Sequence, residues 1–139
     1  MTSLIDCLID GEGRARYVYQ DTLGYLTIGI GRNVDSRSGR GLSFEEQNYL
    51  LNNDIQLCRN QLQNKDYYKD QSQVHQEVLI ELCFNMGLER LETFKLMLDA
   101  FQKKDYLEVA KQLLDSKWAK QVSNSRVQNI RDRILKNAY

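Results

Sequence analysis

The sequence predicts an α+β fold in which a small N-terminal β lobe and a larger helical C-terminal lobe are joined by a long helix, with a cleft between the lobes. Three observations carry that expectation. Seven of the eight glycines lie between Gly11 and Gly41, so tight turns are concentrated early. Two β-branched and aromatic runs sit inside the same stretch, and helical apolar periodicity takes over from Ser43 onward. The expected boundaries are a β lobe over about 12–42, a connecting helix over 43–63 and a helical lobe made of 1–11 and 64–139, all within one 139-residue domain.

The elements follow in order. Ser3, with Asp6 three positions on, can cap a short first helix whose Leu4, Ile5, Leu8 and Ile9 form a stripe expected to be buried. Gly11 and Gly13 end it. Residues Arg16 to Gln20 and Tyr25 to Ile30 then read as two strands of a hairpin, separated by Asp21-Thr22-Leu23-Gly24, with Gly24 suited to a positive φ. Period-two alternation puts Tyr25, Thr27 and Gly29 on one face and Leu26, Ile28 and Ile30 on the other. Ser43-Phe44-Glu45-Glu46 is a capping box for a helix to about Leu62, with Leu50, Leu51, Ile55, Cys58 and Leu62 as its apolar side. Such a helix is about 30 Å long, enough to bridge two lobes. Amphipathic helices are expected over about 72–86, 93–103, 105–116 and 125–136.

Composition removes several function classes. No apolar run approaches the roughly 18 residues of a membrane helix, and the N-terminus has neither a basic region nor an apolar signal core, so synthesis in a cytoplasm without membrane insertion is expected. Cys7, Cys58 and Cys83 are unpatterned in spacing and read as free, buried thiols. His75 is the sole histidine, which sets aside histidine triads and multi-histidine metal sites; its polar neighbours suggest an exposed helical position. No metal or cofactor is expected. Gly29-Ile30-Gly31 lacks the third glycine and the Lys-Ser/Thr of phosphate loops, so no nucleotide site is suggested; no nucleic-acid partner is expected either. The acidic and basic totals cancel at nineteen each, yet residues 117–139 hold six Lys/Arg against one Asp/Glu. That basic tail fits a solvated helix face or an anionic partner equally.

Glu12 lies where the first helix stops. The negative carbonyl end of a helix disfavours a charged carboxylate and favours the protonated form that a general acid needs. Asp21 follows nine residues on in the hairpin turn, and Thr27 six beyond it on the returning strand. Two carboxylates on either side of a bond, one protonating the leaving oxygen and one activating water, are the machinery of glycoside hydrolysis. Spacing alone leaves the ordinary alternatives open: a surface carboxylate, a turn aspartate and a strand threonine.

The segments Ile9-Asp10-Gly11-Glu12-Gly13 and Tyr19 through Gly31 resemble the signature of the T-even phage lysozymes, glycoside hydrolase family 24. The similarity continues through Leu42-Ser43, Cys83-Phe84-Asn85-Met86-Gly87, Thr93-Phe94 and Ser116-Lys117-Trp118. The resemblance implies a lysozyme-like fold and an enzyme cleaving the β-1,4 bond between N-acetylmuramic acid and N-acetylglucosamine of bacterial peptidoglycan. By position it makes Glu12 the acid and Asp21 and Thr27 the holders of the water for an inverting attack. It also implies that Phe84, Asn85 and Gln112 contact substrate. A monomeric endolysin acting at the cell wall is the implied setting, with release through a holin or delivery by a particle or secretion system left open.

The chain departs from the family pattern at three places. Arg32 stands where a member of the family has a histidine, and aligning the long helix places Asp54 opposite it as the expected partner. Residues 33–41 form a shorter, charged loop containing Arg37 and Arg40. Met97 replaces a small polar residue, and the balanced net charge differs from the commonly basic family. The rival readings are a lytic transglycosylase, which needs no water-holding pair, and a non-catalytic wall-binding module.

Overall fold

The computed structural model describes residues 3–139. They form two compact units, the first ending at Leu50 and the second running from Leu51 to Tyr139.

The first unit opens with α1 (Leu4–Glu12). Its capping box forms as expected: the Ser3 hydroxyl accepts from the Asp6 N–H at 3.1 Å, and the Asp6 carboxylate accepts from the Ser3 N–H at 2.9 Å. The expected burial does not occur. No residue of α1 is buried; Leu4, Ile5 and Leu8 are exposed, and so is Cys7. Amphipathic spacing defines which face of a helix a core would cover, but it does not supply the covering element.

Three antiparallel strands follow in the order β1 (Ala15–Gln20), β2 (Leu26–Gly29) and β3 (Arg32–Asn33). Tyr19 pairs with Thr27 and Gln20 with Leu26, with an irregular register between Ala15 and Tyr19. Gly24 closes the hairpin at φ +85°, where a side chain would be strained. Strand β3, too short to leave a periodic signal in sequence, pairs through Thr27–Asn33 and Ile28–Arg32. Val18, Ile28, Gly29, Ile30 and Val34 line an open groove of about 1150 Å³ together with Leu42 and Leu50, so Gly29 joins Ile28 and Ile30 there although the alternation put it on the other face. Among the described residues of this unit the buried ones are polar, Thr27 and Asp35.

Helix α2 (Phe44–Leu62) begins at the predicted capping box, with the Ser43 hydroxyl accepting from the Glu46 N–H at 3.1 Å and Glu46 accepting from the Ser43 N–H at 2.9 Å. Only the C-terminal half of its expected apolar side meets the core. Cys58 and Leu62 are buried and Ile55 packs beside them, whereas Leu50 and Leu51 remain exposed.

The second unit continues with α3 (Asp66–Lys69), α4 (Gln73–Met86), α5 (Leu88–Leu91), α6 (Lys95–Gln102), α7 (Tyr106–Leu114), α8 (Lys117–Gln121) and α9 (Asn124–Lys136). The four longer helices of this unit fall within two residues of their sequence spans; Ser72, Asp105 and Ser123 each accept from a first-turn N–H and mark the starts of α4, α7 and α9, whereas α6 starts without a side-chain cap. The three short helices were not foreseen; one turn is below the length at which periodicity is readable. The core gathers Leu62, Leu79, Leu82, Leu91, Phe101, Leu113, Trp118 and Ile130, all essentially inaccessible. His75 is also buried, contrary to its polar sequence neighbours. Its Nε2 lies 2.9 Å from the Ile134 carbonyl and so carries the proton, and its ring centroid lies 4.1 Å from that of Tyr106. Cys58 and Cys83 are free and buried as expected. Burial, with the Cys58 thiol beside it, pushes the Cys83 thiol up to about 12. Such a thiol stays protonated and unreactive near neutrality.

Candidate active site

Glu12 is the last residue of α1 and is exposed. Its side chain packs on Gly31, in the turn between β2 and β3. A Cβ built at Gly31 would lie 2.6 Å from Glu12 Oε2 and 2.8 Å from its Cδ, so only glycine leaves room for the carboxylate there. Gly31 also has φ +66°, a conformation that independently favours glycine. The sequence places this glycine in the family signature and outside any phosphate loop; its role shows only once Glu12 is placed.

Asp21 occupies the turn between β1 and β2. Its Oδ1 accepts from the Leu23 N–H at 2.9 Å and from the Tyr25 N–H at 2.8 Å, while the Gly24 N–H closes onto its carbonyl at 2.9 Å. These bonds fix the carboxylate and engage one oxygen, leaving Oδ2 without a protein partner among the described residues. Thr27 is only 4% exposed, and its hydroxyl donates to the Tyr25 carbonyl at 3.0 Å. With the proton committed, the lone pairs of Oγ1 are available to accept. Glu12, Asp21 and Thr27 therefore all belong to the first unit, and the last two are tied to the backbone of Tyr25 between them.

The loop after β3 grips the same segment. Asp35, 5% exposed, accepts from the Leu26 N–H at 3.1 Å and from the Arg37 N–H at 2.9 Å. Arg37 returns two side-chain bonds to Asp35, each 2.8 Å, and donates a third at 3.0 Å to the Gly24 carbonyl. The Arg37 side chain first, then the Arg37 and Leu26 N–H groups, holds the Asp35 carboxyl well below the usual carboxylate range. Sequence reading noted the charge of this loop and missed Asp35 altogether. The signal was the Asn33-x-Asp35-x-Arg37 spacing, since short polar side chains two residues apart often bond to the following backbone.

Arg32 pairs with Glu46 at 2.7 Å and donates to the Gly41 carbonyl at 3.0 Å. This corrects the expected Arg32–Asp54 pair. Asp54 lies eight residues further along α2, about 12 Å along its axis, whereas the shorter loop brings Arg32 to the first turn of the helix. The Arg32 side chain, then the Ser43 N–H, lowers the Glu46 carboxyl to about 2.

The three residues expected to contact substrate lie in the second unit and do not share one pocket. Phe84 on α4 is 42% exposed and lines a cavity of about 320 Å³ with Ile55, Ile80 and Tyr139. Gln112 on α7 lines another, about 440 Å³, with Phe94, Met97 and Trp118. Asn85 accepts from the Trp118 indole N–H at 2.6 Å and so anchors a wall of that second cavity. Gln112 donates to Glu108 at 2.8 Å.

With this geometry in place, comparison supplies the class. A family model described as phage lysozyme matches residues 10–136, and the chain belongs to that family. The sequence accordingly encodes a lysozyme-type peptidoglycan hydrolase. Among its relatives, probable T4-type lysozyme 1 of Dictyostelium discoideum is 27% identical over 100% of this chain and 99% of its own length. Probable T4-type lysozyme 2 of the same organism is 25% identical over 85% of each.

Proposed function

We propose that the chain hydrolyses the β-1,4 bond between N-acetylmuramic acid and N-acetylglucosamine with inversion, Glu12 acting as general acid and Asp21 with Thr27 holding the attacking water. The observation that carries this reading is the pair of free acceptors at Asp21 Oδ2 and Thr27 Oγ1, positioned through the same Tyr25 backbone. A water donating to both has its lone pair directed elsewhere, and the carboxylate can take its proton as it attacks. Phe84, Asn85 and Gln112 would contact sugar rings and N-acetyl groups. The setting we infer is a monomer made in a host cytoplasm and acting on the wall for cell lysis, with a holin as one route of release.

Digestion of purified peptidoglycan with mass analysis of the products tests the chemistry. Hydrolysis gives reducing muropeptides heavier by one water than anhydro forms, with the new muramic acid in the α configuration. Mainly anhydro products would instead identify a lytic transglycosylase, with Asp21 reduced to a turn residue. Glu12→Gln should fold normally and lose about 10²–10⁴ in rate, the usual worth of a general acid. Wild-type turnover in that variant would remove Glu12 from the role.

A further inference from the structure

The charged loop after β3 has no part in the mechanism above, yet it holds Gly24, the last residue of Asp21's turn, and Tyr25 and Leu26, the two residues between that turn and Thr27. Gly24 is held through its carbonyl by Arg37, and Tyr25 lies under the Arg37 guanidinium, 5.1 Å from ring centroid to carbon. Leu26 is held through its N–H by Asp35. We propose that Asp35 and Arg37 are positioning residues for the water-holding pair, an inference that rests on the roles proposed for Asp21 and Thr27.

Asp21 takes its orientation from the N–H groups of Leu23 and Tyr25, and Thr27 takes its orientation from the carbonyl of Tyr25. Any shift of residues 24–26 therefore moves both water ligands. The unit offers little apolar packing to resist such a shift, since the buried ones among its described residues are Thr27 and Asp35 themselves. Asp35 takes that place: it is fixed from its own loop by the Arg37 backbone and side chain, and it reaches across to β2. The planar guanidinium can bond Asp35 and Gly24 at once while covering the Tyr25 ring, a combination that an ammonium group cannot reproduce.

The test uses the full chain and soluble glycan fragments of peptidoglycan. Arg37→Gln, at a largely exposed side chain, should fold and lose about tenfold to a hundredfold in kcat, the scale expected when reacting groups move by an ångström or less. KM should stay within about twofold, because positioning a water does not bind the sugar. Arg37→Lys, the milder change, should not restore the rate, and Asp35→Asn should reproduce the loss. In an Asp21→Asn background, Arg37→Gln should cost clearly less than in the wild type, since one of the two groups it positions is already disabled. Folded Arg37→Gln with wild-type kcat overturns the proposal, as does a raised KM at constant kcat, full rescue by lysine, or an undiminished cost beside Asp21→Asn. An Asp21→Asn enzyme of normal activity would overturn the underlying assignment of roles instead, which an inactive Asp21→Asn beside an active Arg37→Gln does not.

Discussion

At the scale of single residues, the position of Glu12 depends on what Gly31 lacks. A methyl group there would meet the carboxylate at 2.6 Å, so Gly31→Ala must displace the acid as well as strain the backbone. The strain by itself is worth about 1–2 kcal/mol at a left-handed position. Gly41 provides the control: it has φ +61° and nothing within 4 Å of an added Cβ. Both alanine variants are expected to lower thermal stability by similar amounts, while Gly31→Ala alone loses most of its turnover. Equal activity in the two folded variants would show that Gly31 does not seat the acid. The glycine itself was plain in the sequence, but its reason was not, because Glu12 lies nineteen positions away on another element.

At the scale of elements, the start of α2 is held by one carboxylate with two tasks. Glu46 completes the capping box with Ser43 and receives Arg32 from β3. Its carboxyl is lowered in the folded protein from an ordinary 4.5 to about 2. A group whose folded value lies below its unfolded one stabilises fully above the unfolded value, here about 4.5, and loses that contribution as pH falls toward the folded one. The tie between β3 and α2 should thus persist at neutral pH and weaken between about 4.5 and 2. Titration of the Glu46 carboxyl carbon by NMR checks this, and a midpoint at the ordinary value would contradict it. A double-mutant cycle should likewise find coupling for Arg32 with Glu46 and none with Asp54.

At the scale of the whole molecule, apolar burial is concentrated in one unit. The core residues run from Cys58 to Ile134, whereas the described part of the first unit is tied together by hydrogen bonds and ion pairs around Thr27, Asp35 and Glu46. Regions with few buried apolar contacts open locally at lower free energy than a packed core. Amides of β1 and β2 are therefore expected to exchange with solvent faster than those of α4 and α9 under native conditions. Uniform protection across both sets would mean that the first unit opens only with the second. Local softness of this kind makes the Asp35 and Arg37 bonds more consequential for the candidate site than they would be in a unit with its own apolar core.

The amino-acid sequence by itself determined the features that depend on neighbours a few residues apart. Caps at Ser3, Ser43 and Ser72, the Asp21–Gly24 turn and the spans of the long helices all arise from bonds closed within four residues or from a period of two or 3.6. The positions of Glu12, Asp21 and Thr27 at a helix end, a turn and a returning strand were open to reading as well, whereas the roles expected of them came from the family resemblance and not from spacing. Tertiary structure decided everything that needed a partner from far along the chain. It put His75 against the carbonyl of Ile134, 59 residues on, where polar sequence neighbours had suggested solvent. It left α1 uncovered despite its apolar stripe, moved Arg32 from Asp54 to Glu46, and set Asp35 and Arg37 over the backbone of residues 24–26. The physical reason is the same in each case. Periodicity and propensity record which face of an element avoids water, but which element meets that face is settled by packing among distant segments.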